Sequence, residues 1–133
     1  MNDLRRATRL PVVAIAMLPI ACGSGANMSP RQLQSITIAP ATADAQGQQV
    51  QFTATGHWSA SPLTVTPQPG MWGACVGEAA TNEVTVTSSG MAQCASGAKG
   101  AYTVFAFDMT NCNAISVCGG GCTIEGTAQL TCP

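Results

Sequence analysis

Between Leu33 and Thr131 the chain is written in short runs where apolar and polar residues alternate one for one, separated by Pro, Gly and Ser clusters. A period of two sends successive side chains to opposite faces of a strand, whereas a helix needs an apolar stripe with a period near 3.6. Ile36 and Ile38 alternate with Ser35 and Thr37, and Pro40 ends the run. Val50, Phe52 and Ala54 alternate with Gln49, Gln51, Thr53 and Thr55, and Leu63 and Val65 with Thr64 and Thr66. Val84 and Val86 alternate with Thr85 and Thr87 before a Ser-Ser-Gly turn into Met91 to Cys94. Met71 to Cys75, containing Trp72, then Ala101 to Phe107 and Ile124 to Thr131 complete the set. This pattern predicts an all-β chain, a sandwich of about seven short antiparallel strands.

The first thirty residues follow another rule. Arg5, Arg6 and Arg9 form a basic stretch, Leu10 to Ile20 an apolar one, and Ala21-Cys22-Gly23 supplies small residues at a cleavage point. That three-part order is expected of an export signal over residues 1–21. Pro11 and Pro19 bracket the apolar run and argue against a buried regular helix there. Leu18-Pro19-Ile20-Ala21-Cys22 resembles the lipobox of bacterial lipoproteins, although Pro19 stands where that motif usually has Leu. The resemblance implies lipidation at Cys22, and Gly23, where inner-membrane retention would call for Asp, implies an outer-membrane destination. The alternative is an ordinary signal peptide and a secreted protein. Residues 22–32 then read as a flexible tether, and 33–133 as the folded domain.

Charge narrows the function classes. Only 8% of residues are charged. Past Cys22 the basic residues are Arg31 and Lys99, against Asp44, Glu78, Glu83, Asp108 and Glu125, a net charge of −3. Two cations leave no footprint for nucleic acid, whose binding depends on Lys and Arg neutralising phosphates.

Seven cysteines are present: Cys22, Cys75, Cys94, Cys112, Cys118, Cys122 and Cys132. With a lipid on Cys22 the other six permit three disulfides, which suits a small exported domain. Cys118 and Cys122 have a spacing within zinc-ligand range, but His57, the one histidine, lies far away in sequence, and disulfides are the expectation over a metal. A haem attachment would need a Cys-x-x-Cys-His motif, which is absent. No cofactor is expected.

Leu33 to Pro40, Gly47 to Gly56, Trp72, Val84 to Ala92 and Gly100 to Ala106 together resemble bacterial immunoglobulin-like domains of the group 2 type. The resemblance covers about half the chain. It implies a seven-stranded Ig-like sandwich in a bacterial surface protein, with adhesive, spacer or carbohydrate-associated roles and no reaction. The cysteines and the tail from Asn111 to Pro133 depart from it. In that layout Cys75, Cys94 and Cys132 fall at one end and Cys112, Cys118 and Cys122 at the other. Three at each end cannot all pair, so either the tail departs from the layout or one cysteine at each end is free. Cys75–Cys94 and Cys112–Cys122 are the expected bridges, with Cys118 and Cys132 unassigned.

No catalytic constellation emerges. His57 has no carboxylate within ten residues and the chain has no Gly-x-Ser-x-Gly elbow, so a hydrolytic triad is not expected. Glu78 and Glu83 read as a solvated loop pair rather than a glycosidase dyad. Asp108, Asn111 and Asn113 read as turn formers rather than calcium ligands. Trp72 is assigned to the core by its strand position. His57 and Trp58, placed in a loop, are the candidate ligand contacts. The expected function is a non-catalytic, lipid-anchored surface module for binding, adhesion or spacing, with a surface protein or glycan as partner. The alternative is a secreted disulfide-rich inhibitor of an extracellular enzyme, using the Cys-rich tail as its reactive loop.

Overall fold

The structure, a computed structural model, describes residues 29–112, 118 and 121–133. The segment read as a signal (1–21), Cys22 and the tether as far as residue 28 lie outside the described residues, as does Asn113. Eleven strand segments lie among the described residues: β1 (Leu33–Ala39), β2 (Thr42–Asp44), β3 (Gln49–Gln51), β4 (Thr53–Trp58), β5 (Thr64–Val65), β6 (Met71–Val76), β7 (Ala79–Ala80), β8 (Val84–Val86), β9 (Met91–Cys94), β10 (Gly100–Phe107) and β11 (Glu125–Cys132).

β3 and β4 are one run interrupted at Phe52, whose N–H instead donates to Gly90 O (2.9 Å). The run carries β9 and then β8 along its first half and β1 along its second. The other layer has the order β2-β11-β10-β6-β7, antiparallel except for the β2–β11 pair. This is an Ig-like sandwich, with the first, second, fifth and fourth principal strands facing the third, sixth and seventh. Three of the runs read from the sequence, β6, β10 and β11, lie side by side as antiparallel strands.

Alternation fills the interior. Phe52, Val104 and Leu130 are fully buried between the layers, with Ile36, Ile38, Ala54, Ala92, Ala106 and Ala128 around them. In β1 a register shift between Leu33 and Ser35 accommodates an extra residue, so Leu33 and Ile36 face inward although three positions apart. A bulge of this kind resets which face a strand buries.

β10 departs from simple alternation. Tyr102, Val104 and Ala106 point into the sandwich, while Phe105 and Phe107 point the other way and are also buried. A strand apolar on both faces needs cover on both. Here the outer cover is the Cys-rich tail: Phe105 and Phe107, their rings 5.7 Å apart, cluster with Cys75, Cys112, Cys118 and Cys122.

The disulfides follow these faces. Cys94 and Cys132 both lie in the inner cluster and pair, joining the two layers at one end. Cys75 lies on the outer face and pairs with Cys118, fixing the tail there. Cys112 pairs with Cys122, its neighbour across an isolated antiparallel bridge. The expected Cys75–Cys94 bridge is therefore corrected: the two side chains belong to opposite sides of the five-stranded layer and cannot meet. Of the two alternatives left open by the sequence, a free cysteine at each end is excluded, because no described cysteine is left without a partner.

Two glycines show how tightly the turns are constrained. Gly90 closes the β8–β9 hairpin at φ +84°, and a Cβ there would run into the carbonyl oxygen of Phe52. Gly47 has φ +92° but open space around it. Gly47→Ala is expected to cost about 1–3 kcal/mol for backbone strain alone. Gly90→Ala adds a collision with the backbone that Phe52 presents to the hairpin. Chemical denaturation should therefore show Gly90→Ala to be the more damaging of the two, and equal losses would contradict this account of the hairpin.

Candidate functional site

The chain enters β1 at one pole of the sandwich, and that pole is where side chains from distant segments converge. Arg31 and Gln32, at the end of the stretch read as tether, are already part of the domain. Arg31 donates from Nε to Ala60 O (3.0 Å) and from Nη2 to Pro62 O (2.5 Å). Gln32 exchanges bonds with Ser59, through its N–H to Ser59 Oγ (2.9 Å) and its carbonyl from Ser59 N (2.9 Å).

The guanidinium of Arg31 lies 4.0 Å from the centroid of the Trp58 ring, a cation–π contact. Trp58 Nε1 donates to Gln68 Oε1 (3.3 Å), and Gln68 Nε2 donates to Pro69 O (3.0 Å). Gln68 is the one buried polar side chain among the described residues. It fits because Gly56 leaves room, since a Cβ there would meet the Gln68 carboxamide. Burying an amide is tolerable only when its groups are paired, as they are here.

Two open grooves flank this stack. One, of about 520 Å³, runs between Arg31, Trp58, Asp108, Thr110 and Ile124. The other, of about 530 Å³, is mainly apolar and runs from Arg31 and Trp58 to Pro69, Met71 and Met109. Volumes of this order are in the range of small-ligand sites. The walls come from the segment between β4 and β6 and from the connection after β10. In Ig scaffolds those two connections share one end of the sandwich, the end used for recognition in antibody variable domains.

The expected contacts His57 and Trp58 need correcting in place. They are not in a loop but at the end of β4, and as consecutive strand residues they face opposite ways. Trp58 packs against the core and lines both grooves, with one ring face under Arg31 and its N–H bonded to Gln68. His57 is on the other face, where its Nε2 lies 3.1 Å from Thr37 Oγ1. The structure does not bring the two together as one site. Trp72 is half-buried and packed against the core, as read.

The remaining candidates have structural duties. Asp108 Oδ1 accepts from the N–H and Oγ1 of Thr110 (both 2.9 Å), capping the 3₁₀ turn Met109–Asn111. Glu83 Oε2 accepts from the Tyr102 hydroxyl (2.6 Å), and Glu78 lies in the turn between β6 and β7. Among the described residues no group of three or more His, Cys, Asp or Glu side chains is placed to hold a metal ion. Sequence reasoning missed the convergence of Arg31, Trp58 and Gln68. The available signal was Arg31 itself, one of two cations past Cys22. No known protein family and no curated protein matches the chain.

Tyr102 supplies a spectroscopic test of the Glu83 contact. The hydrogen bond to Glu83, then burial, then the Glu83 charge push its pKa above the ordinary 10.0. The fold thus favours the neutral phenol, so the stabilisation is complete below pH 10.0 and is lost as pH rises through the folded pKa. Tyr102 is the only tyrosine, so phenolate absorbance reports on it alone. The folded protein should titrate above 10.0, with Glu83→Gln moving the midpoint back down. A wild-type midpoint equal to that in denaturant would refute the contact.

Proposed function

We propose that this chain is a lipid-anchored, non-catalytic module of the bacterial cell envelope, Ig-like of the group 2 type, acting in binding, adhesion or spacing. The observation that carries the reading is the convergence at one pole. There the entering chain, the segment between β4 and β6, and the connection after β10 meet around Arg31, Trp58 and Gln68. That pole is its interaction surface.

Three disulfides suit an oxidising, extracytoplasmic compartment, and no helix among the described residues is long and apolar enough to cross a membrane. An anchor at Cys22 to the outer membrane or cell surface fits both facts. A non-catalytic role is supported by the way titratable groups are occupied: Glu83 by Tyr102, Asp108 by Thr110, His57 by Thr37. The inhibitor reading is weaker, because Cys118 is fixed to the sheet through Cys75 and Cys112 is tied to Cys122 beside Phe105 and Phe107.

The test is intact mass spectrometry of the protein purified from bacterial membranes, before and after reduction. The expected mass begins at Cys22, carries a diacyl or triacyl group, and rises by about six hydrogens on reduction, two per bridge. Cys22→Ser should move the protein from the membrane to the soluble fraction. A mass lacking acyl groups, with wild type and Cys22→Ser fractionating alike, would overturn the anchored reading.

A further inference from the structure

We infer that the tether pole of the sandwich seats on the bilayer surface, with the phospholipid interface as the occupant of its apolar groove. The inference rests on the reading of Cys22 as the lipid-bearing residue and deepens it by naming what the interaction surface meets.

The first argument is chain length and where it ends. Eight residues lie between Cys22 and Arg31, so even fully extended the connection reaches roughly 30 Å. Arg31 is fixed to the pole by two hydrogen bonds and by its stack on Trp58. The pole is therefore never further from the acyl chains than about one domain length, since the eight residues of β11 span roughly 27 Å. A short tether of this kind sustains an effective concentration in the millimolar range, at which a weak surface contact is populated.

The second argument is the distribution of exposed apolar side chains. Among the described residues four large hydrophobic side chains are markedly exposed: Leu63, Met71, Val76 and Met109, at 63, 49, 47 and 62%. Three of them belong to the tether pole. Met71 begins β6 opposite Phe107, Met109 follows β10, and Leu63 accepts the N–H of Trp58 through its carbonyl. Only Val76 is at the other end. Trp58, with a polar edge and an apolar body, is the residue type that favours the headgroup level.

The third argument is charge. Asp44, Glu78 and Glu83 belong to the far end, where Asp44 pairs with Thr131, Glu78 follows Val76, and Glu83 receives the N–H of Ala95. The tether pole carries Arg31 against Asp108 and Glu125, and the Asp108 carboxylate is held by Thr110. Lys99, just before β10, is also at the far end, so the far end carries −3 + 1 = −2 and the tether pole +1 − 2 = −1. Seating the tether pole presents the less negative end to an anionic headgroup layer, whose repulsion decays within about 10 Å. The contact is thus mainly apolar, and salt is expected to affect it little.

The experiment reconstitutes the purified full chain, its acylation first established by intact mass, in phosphatidylcholine vesicles with and without brominated acyl chains. Trp58 lines the groove while Trp72 packs against the core, so brominated lipid should lower the tryptophan emission by quenching the Trp58 contribution, as for an indole at the interface. Met71→Ser/Met109→Ser should abolish the quenching. Both methionines are at least half exposed or nearly so, and an unchanged unfolding midpoint would show that the fold is intact. Substitution of either methionine alone serves if the double variant unfolds. Acylated protein that shows no quenching overturns the seating and leaves the anchored reading standing. A chain without acyl groups removes the tether, and both fall. No quenching in vesicles, with the pole crosslinking in cells to an envelope protein through Met109→Cys, would replace the bilayer with a protein partner.

Discussion

The two-faced character of β10 is the constraint on which the rest of the structure depends. Its inner side chains, Tyr102, Val104 and Ala106, require an opposing layer, and its outer ones, Phe105 and Phe107, require a second cover. Fully burying two phenyl rings contributes about 3–6 kcal/mol. Fixing the backbone of only about three or four residues offsets that gain. A cover held by the rings alone would therefore not stay in place, and the two bridges made by Cys75 with Cys118 and Cys112 with Cys122 supply what packing lacks. Those bridges are part of the outer cluster itself, so each sulfur both crosslinks and fills space.

The third bridge answers a different problem. Cys94 and Cys132 lie in the inner cluster and connect a strand of one layer to a strand of the other. The two layers share short, alanine-rich contacts: Ala54, Ala74, Ala92, Ala106 and Ala128 are all buried there. Small side chains bring layers close but remove little apolar area from water. A covalent tie between layers compensates for a thin interior, the same logic that makes small exported domains rich in disulfides.

Much of this was legible in the sequence, and the failures have a common cause. Alternation located β1, β3, β4, β5 and β8 because the period of two is a local property. The phase of Phe105 and Phe107 against Val104 and Ala106 marks β10 as apolar on both sides, a signal in the sequence that the reading of it as a strand did not use. The pairing of cysteines was misjudged because it depends on which face each strand presents. Cys75 shares its face with Gly73 and Phe105, and Cys94 shares its face with Ala92. The same parity separates His57 from Trp58, although adjacency in sequence suggested one contact. The Arg31, Trp58 and Gln68 stack joins segments 27 and 10 residues apart in sequence, and no local pattern announces it.

Arg31 connects the architecture to the proposed role. Its hydrogen bonds to Ala60 and Pro62 hold the segment after β4 against the entering chain, and its stack on Trp58 fixes the indole that bounds both grooves. A tether leaving from an unfastened end would let the domain hang in any orientation. Fastened at Arg31, it leaves from the pole that carries Met71 and Met109, while the C-terminal end of β11, with Cys132 bridged to Cys94, lies at the opposite pole. In the proposed arrangement, the side chain that completes the site also decides which end of the sandwich is nearest the proposed anchor. On the proposed reading, recognition surface and attachment point are one feature, and a module built this way would act close to the layer that carries it.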